Sequence, residues 1–135
     1  MPVSLLLVTH HKLGHTLLET VEDLLGKIPL TSEVFDVRRV ANADPLIGQA
    51  RQVVEKMNAA NGGAGVLLLT DAYGSTPSNV ACKASKSASP QCQTRVVAGV
   101  NVPMLLNIYN FPKQSLDKLA QLAVQGGQQG VCLGE

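Results

Sequence analysis

Two apolar runs in this 135-residue chain stop at residues that can do chemistry. VSLLLVTH ends at Thr9 and His10, and GVLLLTD ends at Thr70 and Asp71. A carboxylate that accepts the Nδ1–H of an imidazole fixes the tautomer. It leaves a nucleophilic lone pair on Nε2 and steadies the positive ring formed when that nitrogen attacks. Just beyond Asp71 the chain reads AYGSTPSN, in which Gly74, Ser75 and Thr76 precede Pro77. Pro after a hydroxyl residue marks a helix start, where free N–H groups and the positive end of the macrodipole suit a phosphate. Gly74 allows close approach of the backbone, and Ser75 and Thr76 add hydroxyls. A nucleophile at His10, an orienting acid at Asp71 and an anion cradle at 74–76 together suit transient phosphorylation of a histidine.

The same residues admit plainer readings. A lone His at a strand end can be a polar surface residue, and an Asp before a Gly-rich turn can be turn chemistry. Ser75 or Thr76 with His10 would make a hydrolase pair, although no G-x-S-x-G is present. His11 and His15 stand four apart, but zinc would need a third ligand and there is no H-E-x-x-H, so no metal is expected. Gly62-Gly63-Ala64-Gly65 precedes an apolar run instead of following one, and no G-x-x-x-x-G-K-[ST] occurs. No nucleotide cofactor is therefore expected. A phosphoacceptor receiver domain would need an acidic pair after its first strand, where this chain has Thr9-His10-His11.

The elements must carry His10 and Asp71 to one place. Unbroken aliphatic runs of this length read as strands buried on both faces, as in a parallel sheet. A helix follows His10, with Leu13, Leu17, Val21, Leu24 and Leu25 at helical spacing and Gly26 as its end; Thr16-x-x-Glu19 offers a capping box, with an earlier start as the alternative. A strand is predicted around Val34–Val37, then a helix from Asp44 as N-cap, with Pro45 at its first position and Leu46, Ile47, Ala50, Val53, Val54 and Met57 inward. The third strand is Gly65–Thr70, followed by a helix capped by Thr76 and running to about Ser87. Thr94–Val100 is the fourth strand. A short helix opens at Asn101-Val102-Pro103. The last helix is capped by Ser115 and ends at Gly126-Gly127, leaving Gly130–Gly134 as one further short strand. This β-α alternation predicts an α/β fold: a doubly wound, three-layer sandwich with a parallel sheet. In such a sheet the first and third strands lie side by side, about 4.8 Å apart, at the switch point where ligands bind.

Composition narrows the classes. One domain spanning 1–135 is expected from length. The formal net charge is +1 with no basic run, so no nucleic acid is expected as a partner. No apolar segment approaches the roughly 20 residues of a membrane span. No secretory leader is apparent, and three widely spaced cysteines form no disulfide or zinc pattern. A cytoplasmic location is expected.

Three segments carry a likeness to a known family. They are LLLVTH with a following helix closing in LLG, the strand and loop LLLTDAYGSTPSN, and VVAGVNVPMLL. The chain resembles the enzyme IIA component of the mannose family of the bacterial phosphoenolpyruvate-dependent sugar phosphotransferase system (PTS). The resemblance implies a four-stranded parallel sheet of order 2-1-3-4, with a C-terminal antiparallel edge strand exchanged across a homodimer. It implies that His10 accepts phosphate from phospho-HPr and passes it to a IIB partner, with Asp71 as the orienting acid and Thr76 as the loop hydroxyl. Thr9 and Asn101 align with supporting positions. The family often has Gly after the active His, where this chain has His11, and often Trp-Gly-Gly-Ser-Pro in the loop, where it has Tyr73-Gly74-Ser75-Thr76-Pro77. The chain ends without a linker to a fused IIB domain, which leaves open a separate IIB, a regulatory phosphorylation sensor acting by protein contact, or a phosphoryl donor to a dihydroxyacetone kinase. Any membrane association would be peripheral, through a transporter complex.

Overall fold

The computed structural model describes residues 1–135. Its centre is the pair of strands β1 (Ser4–His10) and β3 (Val66–Thr70), in which only His10 reaches solvent. Strands β2 (Ser32–Val37) and β4 (Thr94–Ala98) flank them and are partly exposed. All pairings are parallel and the order is β2-β1-β3-β4, as expected. Between the strands run α1 (Leu13–Leu25), α2 (Asp44–Ala60) and α3 (Thr76–Ser87), and after β4 come α4 (Val102–Tyr109) and α5 (Leu116–Gln129).

Side chains alternate along a strand, so the two leucine-rich central strands feed two cores. Leu5, Leu7, Leu67 and Leu69 meet α1, α4 and α5 through Val21, Leu105, Ile108 and Leu119. Leu6, Val8, Val66 and Leu68 meet α2 and α3 through Val54, Met57, Val80 and Ala84. Each fully buried leucine contributes on the order of 1.5–3 kcal/mol. Burial on both faces is why these strands read as continuous apolar runs.

The structure corrects several boundaries. The helix α1 begins at Leu13, so Thr16 caps nothing; its Oγ1 donates to the Lys12 carbonyl instead. Its inward line is Gly14, Leu17, Leu18 and Val21, while Leu24 is 62% exposed. Asp44 is the first residue of α2, and its N–H donates to Asn42 Oδ1 at 3.1 Å. Gly126 and Gly127 do not end α5 but lie buried within it. A Cβ on Gly126 would fall 2.5 Å from that of Asn107, and one on Gly127 would fall 3.0 Å from Met104 Cε. They are glycines because α4 and α5 approach too closely for a side chain. Since α5 runs on to Gln129, residues 131–135 form no strand. The edge strand expected at Gly130–Gly134 has no partner within one chain, and Val131 and Leu133 are exposed there.

Candidate functional site

Alternation decides which way the tip of β1 faces. His10 shares the face of Leu6 and Val8, toward α2 and α3, whereas Thr9 shares that of Leu5 and Leu7, toward α1. The register sets Val8 beside Thr70 and His10 beside Val37. One residue past Thr70, Asp71 therefore reaches the β1 tip. Its Oδ2 accepts the ring Nδ1–H of His10 at 2.7 Å and the backbone N–H of His10 at 2.9 Å. Its Oδ1 accepts the N–H of Ala72 at 2.9 Å. Burial pushes the Asp71 carboxyl up, but the N–H groups of His10 and Ala72, the His10 ring and its charge outweigh this, leaving it below its ordinary 3.8. The carboxylate thus stays ionised and holds the imidazole with Nδ1 protonated. The His10 side chain is 46% exposed against 11% for Asp71, and its Nε2 has no protein partner.

The loop after Asp71 divides its labour differently from the expectation. Gly74 has φ +86°, a conformation that side-chain-bearing residues avoid. Ser75, not Thr76, is the N-cap of α3: its Oγ accepts from Ser78 N–H at 3.5 Å and donates to the Ala72 carbonyl at 2.6 Å. Its hydroxyl is therefore committed to holding the loop. Thr76 stands in the first turn of α3, exposed, and lines the same cleft as His10. Its N–H belongs to the unpaired group that a helix start leaves open.

Two expected supporting residues act at a distance. Thr9 is fully buried, and its Oγ1 accepts the N–H of Gly14 at 2.9 Å, fastening α1 to the tip of β1. Asn101 caps α4 by accepting from Met104 N–H at 2.9 Å, and its Nδ2 donates to the Gly127 carbonyl at 3.2 Å. Neither side chain touches His10 or Asp71 by hydrogen bond. His11 and His15 do not share a helix face, because His11 precedes α1 in a left-handed turn (φ +47°) and His15 turns to Asp36 at 3.3 Å. Holding a non-glycine residue in that region costs on the order of 1 kcal/mol.

Residues that motif reading passed over complete the cleft. It measures about 290 Å³ and is lined by His10, His11, Arg38, Arg39 and Thr76, over Val37 and Val40. The two arginines follow β2 directly, and β2 lies beside β1, so their tip is the neighbour of His10. The sequence signal was present as VRRV at the end of a strand. Reading it required joining that signal to the strand order, which sets β2 beside β1 on the side away from Asp71. A larger cleft of about 530 Å³ lies elsewhere, between β4 and α5, bounded by Arg95, Val97, Val124 and Gln128. Its lining holds no histidine or carboxylate, whereas the smaller cleft holds His10 and His11.

Comparison with known proteins bears on this arrangement. Residues 4–123 match the family model described as the PTS system fructose IIA component. The chain superposes on the mannose/sorbose-specific IIA subunit of the phosphotransferase system from Enterococcus faecalis with a TM-score of 0.82 and 26% identity, covering 100% of this chain and 96% of that one. Phosphotransferase system component EIIA from Streptococcus agalactiae gives 0.80 at 18% identity, covering 96% and 95%. The PTS IIA protein associated with the fucose utilization operon of Streptococcus pneumoniae gives 0.74 at 19%, covering 96% and 91%. No curated protein sequence gives a significant match.

Proposed function

The chain belongs to the PTS system fructose IIA component family and is a phosphocarrier of the sugar phosphotransferase system; from that premise we propose that the group carried is held on His10 Nε2. The observation that carries this reading is the 2.7 Å contact of Nδ1 with the ionised Asp71, which leaves Nε2 free in a cleft. In the forward step the Nε2 lone pair attacks the phosphorus of a donor phosphohistidine. A new N–P bond forms as the donor's N–P bond breaks, and that electron pair stays on the donor ring nitrogen. The Nδ1 proton remains on His10, and Asp71 balances the charge that develops on the ring. The N–H of Thr76, its hydroxyl and the backbone at Gly74 receive the phosphoryl oxygens, while Ser75 keeps the loop in shape. Phospho-HPr is the donor and a histidine of a IIB component the acceptor. Transfer between two imidazoles is nearly balanced in energy, so the site has mainly to position the groups.

Residues 1–135 act in this reading as one IIA domain working in the cytoplasm. No helix is long and apolar enough to cross a membrane. A homodimer formed by strand exchange fits the open edge of β4, the cleft beside it and the exposed Val131 and Leu133 of the tail. Light scattering should report twice the chain mass, and a monomer would remove the exchange.

The test of the carrier step is incubation with phosphoenolpyruvate, enzyme I and HPr, then mapping of the label. An acid-labile, base-stable phosphate on His10 is expected, and none on His10→Ala. Undiminished labelling of that variant would sink the assignment.

A further inference from the structure

We propose that Arg38 and Arg39 form the second half of the phosphoryl site, clasping the oxygens of a phosphoryl group on His10 Nε2 from the side opposite Asp71; this rests on the carrier reading above. The argument begins with who is paired. The ion pairs of the chain are His10–Asp71, His15–Asp36 and Arg95–Asp117. Arg38 and Arg39 belong to none of them, and both line the cleft that His10 opens into. A guanidinium offers planar, paired donors suited to phosphate and stays charged at any working pH.

Position supports the same assignment. The His11 N–H donates to the Val37 carbonyl at 3.2 Å, tying the turn after β1 to the end of β2 and so holding the arginine segment beside His10. His11 itself sits at φ +47° and lines the same cleft. Asp71 cannot serve the phosphoryl group: its carboxylate is engaged by His10 and Ala72, and its charge would repel the oxygens. Thr76 and the start of α3 supply donors on one flank. The arginines supply cationic ones on the other.

The bonds made and broken are those of the transfer step already given. The arginines contribute no proton and form no bond; they offset the negative charge that passes through the cleft. Because both are exposed, the effect should be strong at low ionic strength and shrink as salt is added.

The experiment compares wild type with Arg38→Ala, Arg39→Ala, the double variant and the Lys forms. The readouts are the initial rate of labelling by phospho-HPr and the hydrolytic half-life of phospho-His10. We expect about a tenfold slower rate for each single variant at low salt and more for the double, with the label still on His10. The Lys forms should recover part of the loss. A double variant within about twofold of wild type at low salt, or a loss unaltered by Lys and by salt, overturns the inference and leaves the carrier reading intact. Wild-type protein that takes no label on His10 overturns both.

Discussion

The two walls of the His10 cleft are built on opposite plans. On the Asp71 side nearly everything is satisfied: the carboxylate takes hydrogen bonds from His10 and Ala72, and Ser75 Oγ is used twice within its own loop. On the Arg38 side little is: two exposed guanidiniums stand outside every ion pair and line the cleft. The first wall fixes one ring in one tautomer. The second is open to whatever negative group arrives. In the proposed reading a carrier must hold its nucleophile still and release its cargo easily, and the contrast would separate these tasks between two strand tips.

The largest break in that contrast comes from Asp71→Asn. It keeps the shape and removes the charge, so transfer to His10 should slow by on the order of 10²-fold, read as the initial rate of labelling. An unchanged rate would remove Asp71 from the mechanism. The same variant sharpens the comparison through pH. The Asp71 carboxyl lies below 3.8 in the folded chain, so its ionised form stabilises the fold above that value. That stability is lost as pH falls through the folded value, because the proton must then displace the contacts with His10 and Ala72. Acid unfolding of wild type should therefore steepen below about pH 4, and Asp71→Asn should lack that component. On the other wall the smallest effect is expected. His11→Gly relieves the left-handed backbone and should raise stability by a few tenths of a kcal/mol to about 1 kcal/mol in denaturant unfolding. A clear destabilisation would mean that the His11 side chain makes a contact worth more than the strain.

The fold was legible where burial is complete. Strands β1 and β3 are covered on both faces, so Leu5–Val8 and Val66–Leu69 are apolar throughout, and the tips announced themselves by Thr9-His10 and Thr70-Asp71. Sequence reading went wrong where a residue type serves two purposes. Gly126-Gly127 looked like a helix stop but permits close packing of α5 on α4. Ser75 and Thr76 are both good caps by chemistry, and only the path of the loop chose Ser75. Asn101 and Thr9 were grouped with the site through the family resemblance alone, and their hydrogen bonds go to α4, α5 and α1.

The order of residues by itself determined which groups are present and that parallel strands would deliver them to one edge of a sheet, since local burial and spacing are written in neighbouring residues. The β-α alternation also put β3 beside β1 and so led to the expectation that Asp71 meets His10 across 61 positions, as it does. That Arg38 and Arg39 join them was decided only in three dimensions, where the tip of β2 lines the same cleft from the other side of β1. Strand order is a property of how the whole sheet packs its two faces, and no stretch of chain short enough to show a motif contains it.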